Sequence, residues 1–393
     1  MSFIIGIIGL LLVLGLSYGI SSNRKEIKLR PLLVMLVLQF LLGFLLLRTT
    51  FGTTLVGGLA NVFAALLEFA QAGVSFVFGG IANKGAAPFF LTVLMPIVFI
   101  SAIIGILRYI KILPLFMKWV GLGLSKINGL GKLESYNGIA SAILGQSEVF
   151  ISIKKELPFL SEKRLTTMSI SAMSTVSMSI VGSYMALLEP RYVITALVLN
   201  LFGGFIISSL VNPYQLAQQE DELLIEESDQ QTFFQMLGEY ILDGFHVAIT
   251  VAAMLIGFVA LIAMINFIFS KITGLTFQEI LGYLFAPLAF MTGIPWDEAV
   301  SAGSLMATKL VTNEFVAMTE LAKGSWHFSG RTTAIVSVFL VSFANFSSIG
   351  IISGAMKGLN EEKGNLVAKN GLKILLSATL VSFLSAIVTG LIY

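Results

Sequence analysis

The chain is 393 residues long, 56% hydrophobic and only 12% charged, with a net charge of +2. Soluble domains carry about 25% charged residues, so a large globular enzyme with an unusually apolar core is excluded as a class. The absence of cysteine excludes disulfides, thiolate catalysis and cysteine metal sites; two histidines are too few for a histidine-rich metal centre, and no basic cluster with interleaved aromatics points to nucleic acid.

The N-terminal run MSFIIGIIGLLLVLGLSYGI has neither a basic n-region nor an Ala-x-Ala cleavage site. It therefore reads as a retained first span rather than a signal peptide. Apolar runs long enough for a hydrocarbon layer of about 30 Å recur at about 3–20, 31–48, 90–107, 164–188, 192–211, 239–268, 331–355 and 372–391, which predicts eight transmembrane helices. Shorter apolar segments near 54–72, 111–125 and 276–292 read as interfacial or partly buried. Segments 136–160 and 298–322 are too interrupted by polar residues to be ordinary spans.

Basic residues orient these spans. Arg24, Lys25, Lys28 and Arg30 precede the second; Arg108, Lys111, Lys118, Lys126 and Lys132 follow the third. Lys154, Lys155, Lys163 and Arg164 precede the fourth, and Lys357, Lys363, Lys369 and Lys373 lie between the last two. All fall on one side if the N-terminus is outside, and the positive-inside rule makes that side cytoplasmic. Both termini are then outside, with only scattered charges such as Arg48, Lys84, Arg191 and Lys271. The acidic run at 218–231 reads as a solvated cytoplasmic linker.

Two polar runs break the pattern. AILGQSEVFISIKKEL, residues 142–157, sets Gln146, Ser147 and Glu148 side by side among apolar neighbours; KLVTNEFVAM, residues 309–318, does the same with Asn313 and Glu314. A glutamate in hydrocarbon is costly, which marks both acids as functional candidates. Each run is followed by a span with a small-polar core, STVSMSIVGSY (174–184) and SFANFSSIGIISG (342–354). Glu148 to Ser179 and Glu314 to Asn345 are both 31 residues, and each unit closes with one further span. The first unit begins after three spans and the second after six, so the two are inverted. Inverted repeats with broken helices near the midplane mark secondary transporters, and irregular backbone at that depth must be covered by protein or line a cavity. The expected architecture is therefore an all-α polytopic membrane protein of about eight spans plus two oppositely oriented re-entrant helical hairpins. Residues 1–130 and 214–295 form scaffold; 131–213 and 296–393 form the two transport repeats. Ser171, Ser174, Ser177, Ser179 and Ser183 also suit close helix packing by small residues.

GQSE in the first hairpin, NEF in the second and FANFSSIG in the following span resemble the concentrative nucleoside transporter family. MSTVSMSIVGSYM is most similar to its bacterial NupC-type branch. The resemblance covers about 134–213 and 296–356. It implies a homotrimer in the bacterial cytoplasmic membrane, each protomer with an elevator-like transport domain, a nucleoside as substrate and no cofactor beyond a coupling ion. By motif position, Gln146, Ser147 and Glu148 would face the nucleobase, Phe343 would pack on it, and Glu314, Asn345 and Ser348 would hold the ribose. An amide side chain donates and accepts, which suits a base edge. Tyr184 matches a position beside the base; it equally suits a span-end tyrosine in the interface belt.

Sodium-coupled relatives place an asparagine five residues before Gln146, where this chain has Ser141, with Asn137 one turn earlier. Hard cations want several oxygen ligands, so the shorter side chain weakens such a site, although Ser179 and Ile180 match other positions of it. The NupC-type pattern implies proton coupling instead, with Glu148 and Glu314 as carriers. A sodium-coupled symporter, or a carrier of another small polar metabolite, is the alternative.

Other ionisable residues carry weaker expectations. Asp243 and His246, three apart, read as interfacial rather than as a relay, and Lys309 as the outer end of a hairpin rather than a counter-ion. Glu68 and Glu134 read as interfacial, and Asp297 and Glu298 as the start of a helix. An intramembrane enzyme would need a nucleophile–base pair or metal cluster, and no His-x-x-x-His, Gly-x-Ser-x-Gly or paired aspartates occur.

Overall fold

The computed structural model describes residues 2–83, 89–215, 231–324 and 326–393, and among them the regular structure is helical. Lys84 and all of the acidic run 218–231 except Gln231 lie outside the described residues. In chain order the helices are α1 (Ser2–Gly19), α2 (Leu29–Arg48), α3 (Thr50–Phe78), α4 (Gly80–Asn83), α5 (Pro96–Tyr109, entered through a π-helical turn, Phe89–Leu94), α6 (Ile112–Asn128) and α7 (Lys132–Leu144). There follow α8 (Glu148–Ile151), α9 (Glu162–Ser174), α10 (Met178–Leu187), α11 (Pro190–Val211), α12 (Phe233–Thr273) and α13 (Phe277–Met291). The chain closes with α14 (Trp296–Val311), α15 (Glu314–Ala322), α16 (Gly330–Leu340), α17 (Phe346–Leu359), α18 (Glu361–Lys369) and α19 (Gly371–Ile392).

Among the described residues, eight helices, or helix pairs such as α9–α10, are long and apolar enough to cross a membrane. A helix satisfies its backbone hydrogen bonds internally, which is what hydrocarbon demands. α12 is the longest at 41 residues, about 60 Å at 1.5 Å per residue, against the shorter run, 239–268, read from the sequence.

Contacts between distant chain segments define two faces. On one, Lys28 Nζ donates to Gly129 O (2.8 Å), Ser22 N to Val211 O (3.0 Å), and Lys363 Nζ to Leu160 O (2.9 Å); Lys163 pairs with Glu26 at 3.6 Å. On the other, Arg48 Nε donates to Ile392 O (2.8 Å), Tyr192 OH meets Tyr393 OH (3.4 Å), and Ser2 lies beside Gly293. The loops rich in lysine and arginine thus share one face, the basic face, and both chain ends share the opposite, terminal face.

This geometry decides the role of α3. Its length and hydropathy suffice for a crossing, yet Val56 packs with Ile194 at the start of α11, and Phe63 and Leu67 face Gly182 in the middle of α10. Those partners all lie toward the terminal face, so α3 runs across the ends of the bundle, as the interfacial reading of 54–72 expected.

The predicted span 331–355 is not one helix. It breaks at Val341–Asn345 into α16 and α17, as α9 and α10 break at Thr175–Ser177. Serine and threonine hydroxyls turn back on the preceding turn, Ser174 Oγ onto Ile170 O (2.6 Å) and Thr175 Oγ1 onto Ser171 O (3.2 Å), which competes with the helical ladder. The next helices start on capping side chains, Ser177 and Asn345. The two breaks touch, Phe343 N donating to Thr175 O at 3.2 Å. Asn200 on α11 supports the second, its amide donating to Val341 O (2.5 Å).

The two polar runs each form a helix, a break and a second helix. α7 starts and the loop after α8 ends at the basic face, where Arg164 grips Glu134 through Nε–Oε1 (2.5 Å) and Nη2–Oε2 (3.2 Å). α14 starts and the segment after α15 ends at the terminal face, where Ser329 N and Oγ donate to the two oxygens of Glu298 (3.0 and 3.1 Å). α13 meets α14 at a bend of 115°. Glu298 is in the first turn of α14, as its sequence position suggested. Glu134 differs from its interfacial expectation: it is 1% exposed, because Arg164 and Tyr214 (2.7 Å) supply the donors that water would otherwise give.

Candidate functional site

The tips of the two helix–break–helix units and the two broken helices converge on one cavity of about 330 Å³, at the lower end of small-molecule sites. At the first tip, Gly145 has φ +106°, a conformation that favours glycine. A Cβ there would sit 3.0 Å from that of Ser177. This tight turn presents Gln146, Ser147 and Glu148 to the cavity. Gln146 is 7% exposed and its Oε1 has no partner.

At the second tip, Asn313 caps α15 by accepting from Val316 N (3.0 Å). Glu314 follows, 5% exposed, with Oε1 accepting from Tyr184 OH (2.8 Å) and Oε2 from Asn345 Nδ2 (3.0 Å). Asn345 is itself fixed, its Oδ1 accepting from Ser348 N (2.9 Å) and Ser347 Oγ (2.7 Å). Ser348 Oγ is buried and unpartnered. Phe343 and Ile351 form part of the apolar wall. The arrangement is therefore an apolar slot with an oriented carboxylate on one side and free hydrogen-bonding atoms on both. Buried polar atoms are ordinarily satisfied, so unpaired ones aimed into a cavity point to a ligand with polar edges.

Of the residues singled out in the sequence, Gln146, Ser147, Glu148, Ser179, Ile180, Glu314, Phe343, Asn345 and Ser348 all line this cavity. Tyr184 and Ser141 are not among its lining residues. Tyr184 is fully buried, packs edge-to-face on Phe315 (4.9 Å) and donates to Glu314, so it stands directly behind the cavity lining rather than in an interface belt. Ser141 is also fully buried, donating to Asn137 O (2.6 Å). Asn137 donates to Met168 O (3.1 Å), and its Oδ1 has no partner.

Lys309 is not at the outer end of a hairpin: it lies in the last turn of α14, near the tip. Its ammonium is 1% exposed, donating to Phe339 O (2.6 Å), Ser342 Oγ (2.6 Å) and Ser382 Oγ (3.1 Å). It ties α14 to the break after α16 and to α19. Neutral acceptors take all three of its donors.

The sequence reading missed the wall supplied by α12. His246, Val247, Thr250, Val251 and Met254 line the cavity, and Asp243 lines neighbouring spaces that Glu148 shares. Asp243, His246 and Thr250 follow helical spacing, so three polar residues on one stripe of this long apolar helix were the available signal.

The description "Na+ dependent nucleoside transporter C-terminus" matches residues 192–390, the corresponding N-terminal description matches 8–81, and "Nucleoside recognition" matches 90–191. Over 394 residues the chain is 36% identical to the purine nucleoside transport protein NupG of Bacillus subtilis, covering 100% of this chain and 99% of that one. It is 29% identical to the nucleoside permease NupC of Helicobacter pylori over 410 residues, covering 99% and 98%. CNTnw in an inward-facing substrate-bound state superposes with a TM-score of 0.93 at 31% identity, covering 100% and 98%. A CNTnw variant in an outward-facing state gives 0.94 at 31%, with the same coverage. Family descriptions spanning most of the chain, full-length relatives above 30% identity and a shared fold agree: the chain belongs to the concentrative nucleoside transporter family.

Proposed function

We propose that this protein is a proton-coupled symporter that imports nucleosides across a bacterial cytoplasmic membrane. One observation carries the substrate assignment: Gln146 Oε1 and Ser348 Oγ, both buried and unpartnered, line a slot that also holds the oriented carboxylate of Glu314. Gln146, Ser147 and Glu148 meet the base edge and Phe343 packs on its face. Glu314, Asn345 and Ser348 take the ribose hydroxyls, for which a carboxylate held from two sides is a strong acceptor. Transport of this class of substrate accords with the names of the relatives.

In this reading α7–α8 and α14–α15 are re-entrant hairpins of opposite polarity. With the broken helices they form a body, residues 131–213 and 296–393, that moves as an elevator against a scaffold of 1–130 and 214–295. Inward- and outward-facing structures of a relative support alternating access. The basic face is cytoplasmic by the positive-inside rule, which puts both termini outside. Homotrimerisation through the scaffold completes the proposal.

Proton coupling rests on Ser141, a shorter side chain than the asparagine that the sodium-coupled pattern places there, and on two carboxylates in the site. Sodium coupling is the second reading, favoured by the family description and by the free Oδ1 of Asn137 one turn away. Uptake into proteoliposomes separates the two. Accumulation driven by an inward proton gradient and unchanged on replacing sodium by choline is expected. Collapse of uptake without sodium at constant pH overturns proton coupling.

A further inference from the structure

Glu148 borders three spaces. It lines the site; a cavity of about 10 Å³ shared with Ser179, Tyr240 and Asp243; and a cleft of about 200 Å³ shared with Arg108, Glu239, Tyr240 and Asp243. The second has about the room of one water. The third lies among residues near the basic-face ends of α5 and α12, Tyr109 and Gln231 among them. Asp243 is the other carboxylate that borders both smaller spaces, and its residue is exposed.

The groups around Glu148 come from two bodies. Arg108 on α5 donates to Tyr240 OH on α12 at 2.7 Å. The two helices are locked together where a Cβ on Gly244 would lie 2.8 Å from Val98 Cα. Arg108, Tyr240 and Asp243 therefore belong to one rigid pair of scaffold helices, whereas Glu148 is on the tip that the proposed mechanism moves. Facing Glu148 are Arg108 from α5; Glu239, Tyr240, Asp243 and His246 from α12; and Glu314 across the site.

We infer that Asp243 is the proton-exchange partner of Glu148, receiving the coupling proton when the hairpin faces the basic side and passing it to that compartment. The inference rests on the proton-coupled reading above. The O–H bond of the Glu148 carboxyl breaks, its electron pair stays on Glu148 opposite Arg108, and an O–H bond forms on the Asp243 carboxylate, directly or through one water. Asp243 then releases the proton into the cleft beside Glu239. Because Asp243 stays with the scaffold, Glu148 meets it in one conformation and leaves it in the other, so release is confined to one side.

Asp243→Asn and Asp243→Glu, reconstituted in proteoliposomes, test this. Two rates are measured: net uptake with its accompanying proton influx, followed by an internal pH dye, and nucleoside exchange, which requires no net proton release. Asp243→Asn should lower net proton-driven uptake about a hundredfold, within the range of a lost proton-transfer group. It should leave exchange within about twofold, and Asp243→Glu should restore net uptake. Equal loss of net uptake and exchange, or no loss of either while the unsubstituted protein moves protons, overturns the role of Asp243 alone. No proton influx in the unsubstituted protein overturns proton coupling itself.

Discussion

Asn345 donates its side-chain amide to Glu314 Oε2 at 3.0 Å, across the 31 residues that separate them in sequence. The same amide side chain caps α17, so the helix start and the carboxylate orientation are fixed by one residue. Glu148 and Ser179, also 31 apart, line the same cavity. By position in the broken helices the counterpart of Asn345 is Ser177, whose hydroxyl caps α10 and meets Ser179 Oγ at 2.8 Å.

Glu314→Gln keeps the shape of the site and removes its charge. Charge-assisted hydrogen bonds are roughly twice as strong as neutral ones. The substitution should therefore cost ribonucleosides more than 2′- or 3′-deoxynucleosides, shrinking the preference between them. Competition uptake on both proteins with both sugars gives the double cycle, and simple additivity would remove Glu314 from the ribose site.

Tyr184→Phe deletes one donor to Glu314 without opening the cavity. A hydrogen bond to a charged group is worth about 1.5–3 kcal/mol, so nucleoside KM should rise about tenfold or more. Because the tyrosine acts through the carboxylate, adding Tyr184→Phe to Glu314→Gln should cost much less than it does alone. Equal costs in both backgrounds would show that Tyr184 acts by packing.

Gln146→Ala should weaken nucleoside uptake while leaving the folded protein intact. An unpaired buried hydrogen-bonding group on the substrate costs about 1–3 kcal/mol, roughly tenfold to a hundredfold in affinity. Unchanged kinetics, with protein level checked by immunoblot, would place the base elsewhere.

Arg164→Met should act on stability. Glu134 and Arg164 are 1% and 9% exposed in their side chains, and breaking a buried pair from one side costs about 3–5 kcal/mol. Thermal unfolding in detergent should show a lowered Tm, partly recovered by Glu134→Gln in the same chain. An unaltered Tm would mean that Tyr214 and water satisfy Glu134 unaided.

Single cysteines at positions 25 and 191 test the orientation in a chain that has none of its own. A membrane-impermeant maleimide should label position 191 on intact cells and position 25 only after permeabilisation. The reverse pattern would invert the assignment of the two faces.

The sequence by itself determined the bundle and much of the site. Hydrocarbon demands long apolar helices with internally satisfied backbones, so spans such as Pro190–Val211 and Gly371–Ile392 stand out without any tertiary information. Polar and charged residues in such a setting are rare, and that made Gln146, Glu148 and Glu314 conspicuous. Tertiary structure decided the rest, because it turns on where ends and side chains meet. Hydropathy cannot separate a helix that crosses from one that lies across helix ends; only the partners of Val56 and Leu67 do so for α3. Nor does local sequence tell whether a polar side chain faces a cavity or a neighbour. Tyr184 and Lys309 are both spent on partners more than 25 residues away, whereas Gln146 and Ser348 keep atoms free. Asp243 read as an interfacial residue, and only folding sets it on the same small cavity as Glu148, since α12 and α8 are adjacent only in three dimensions.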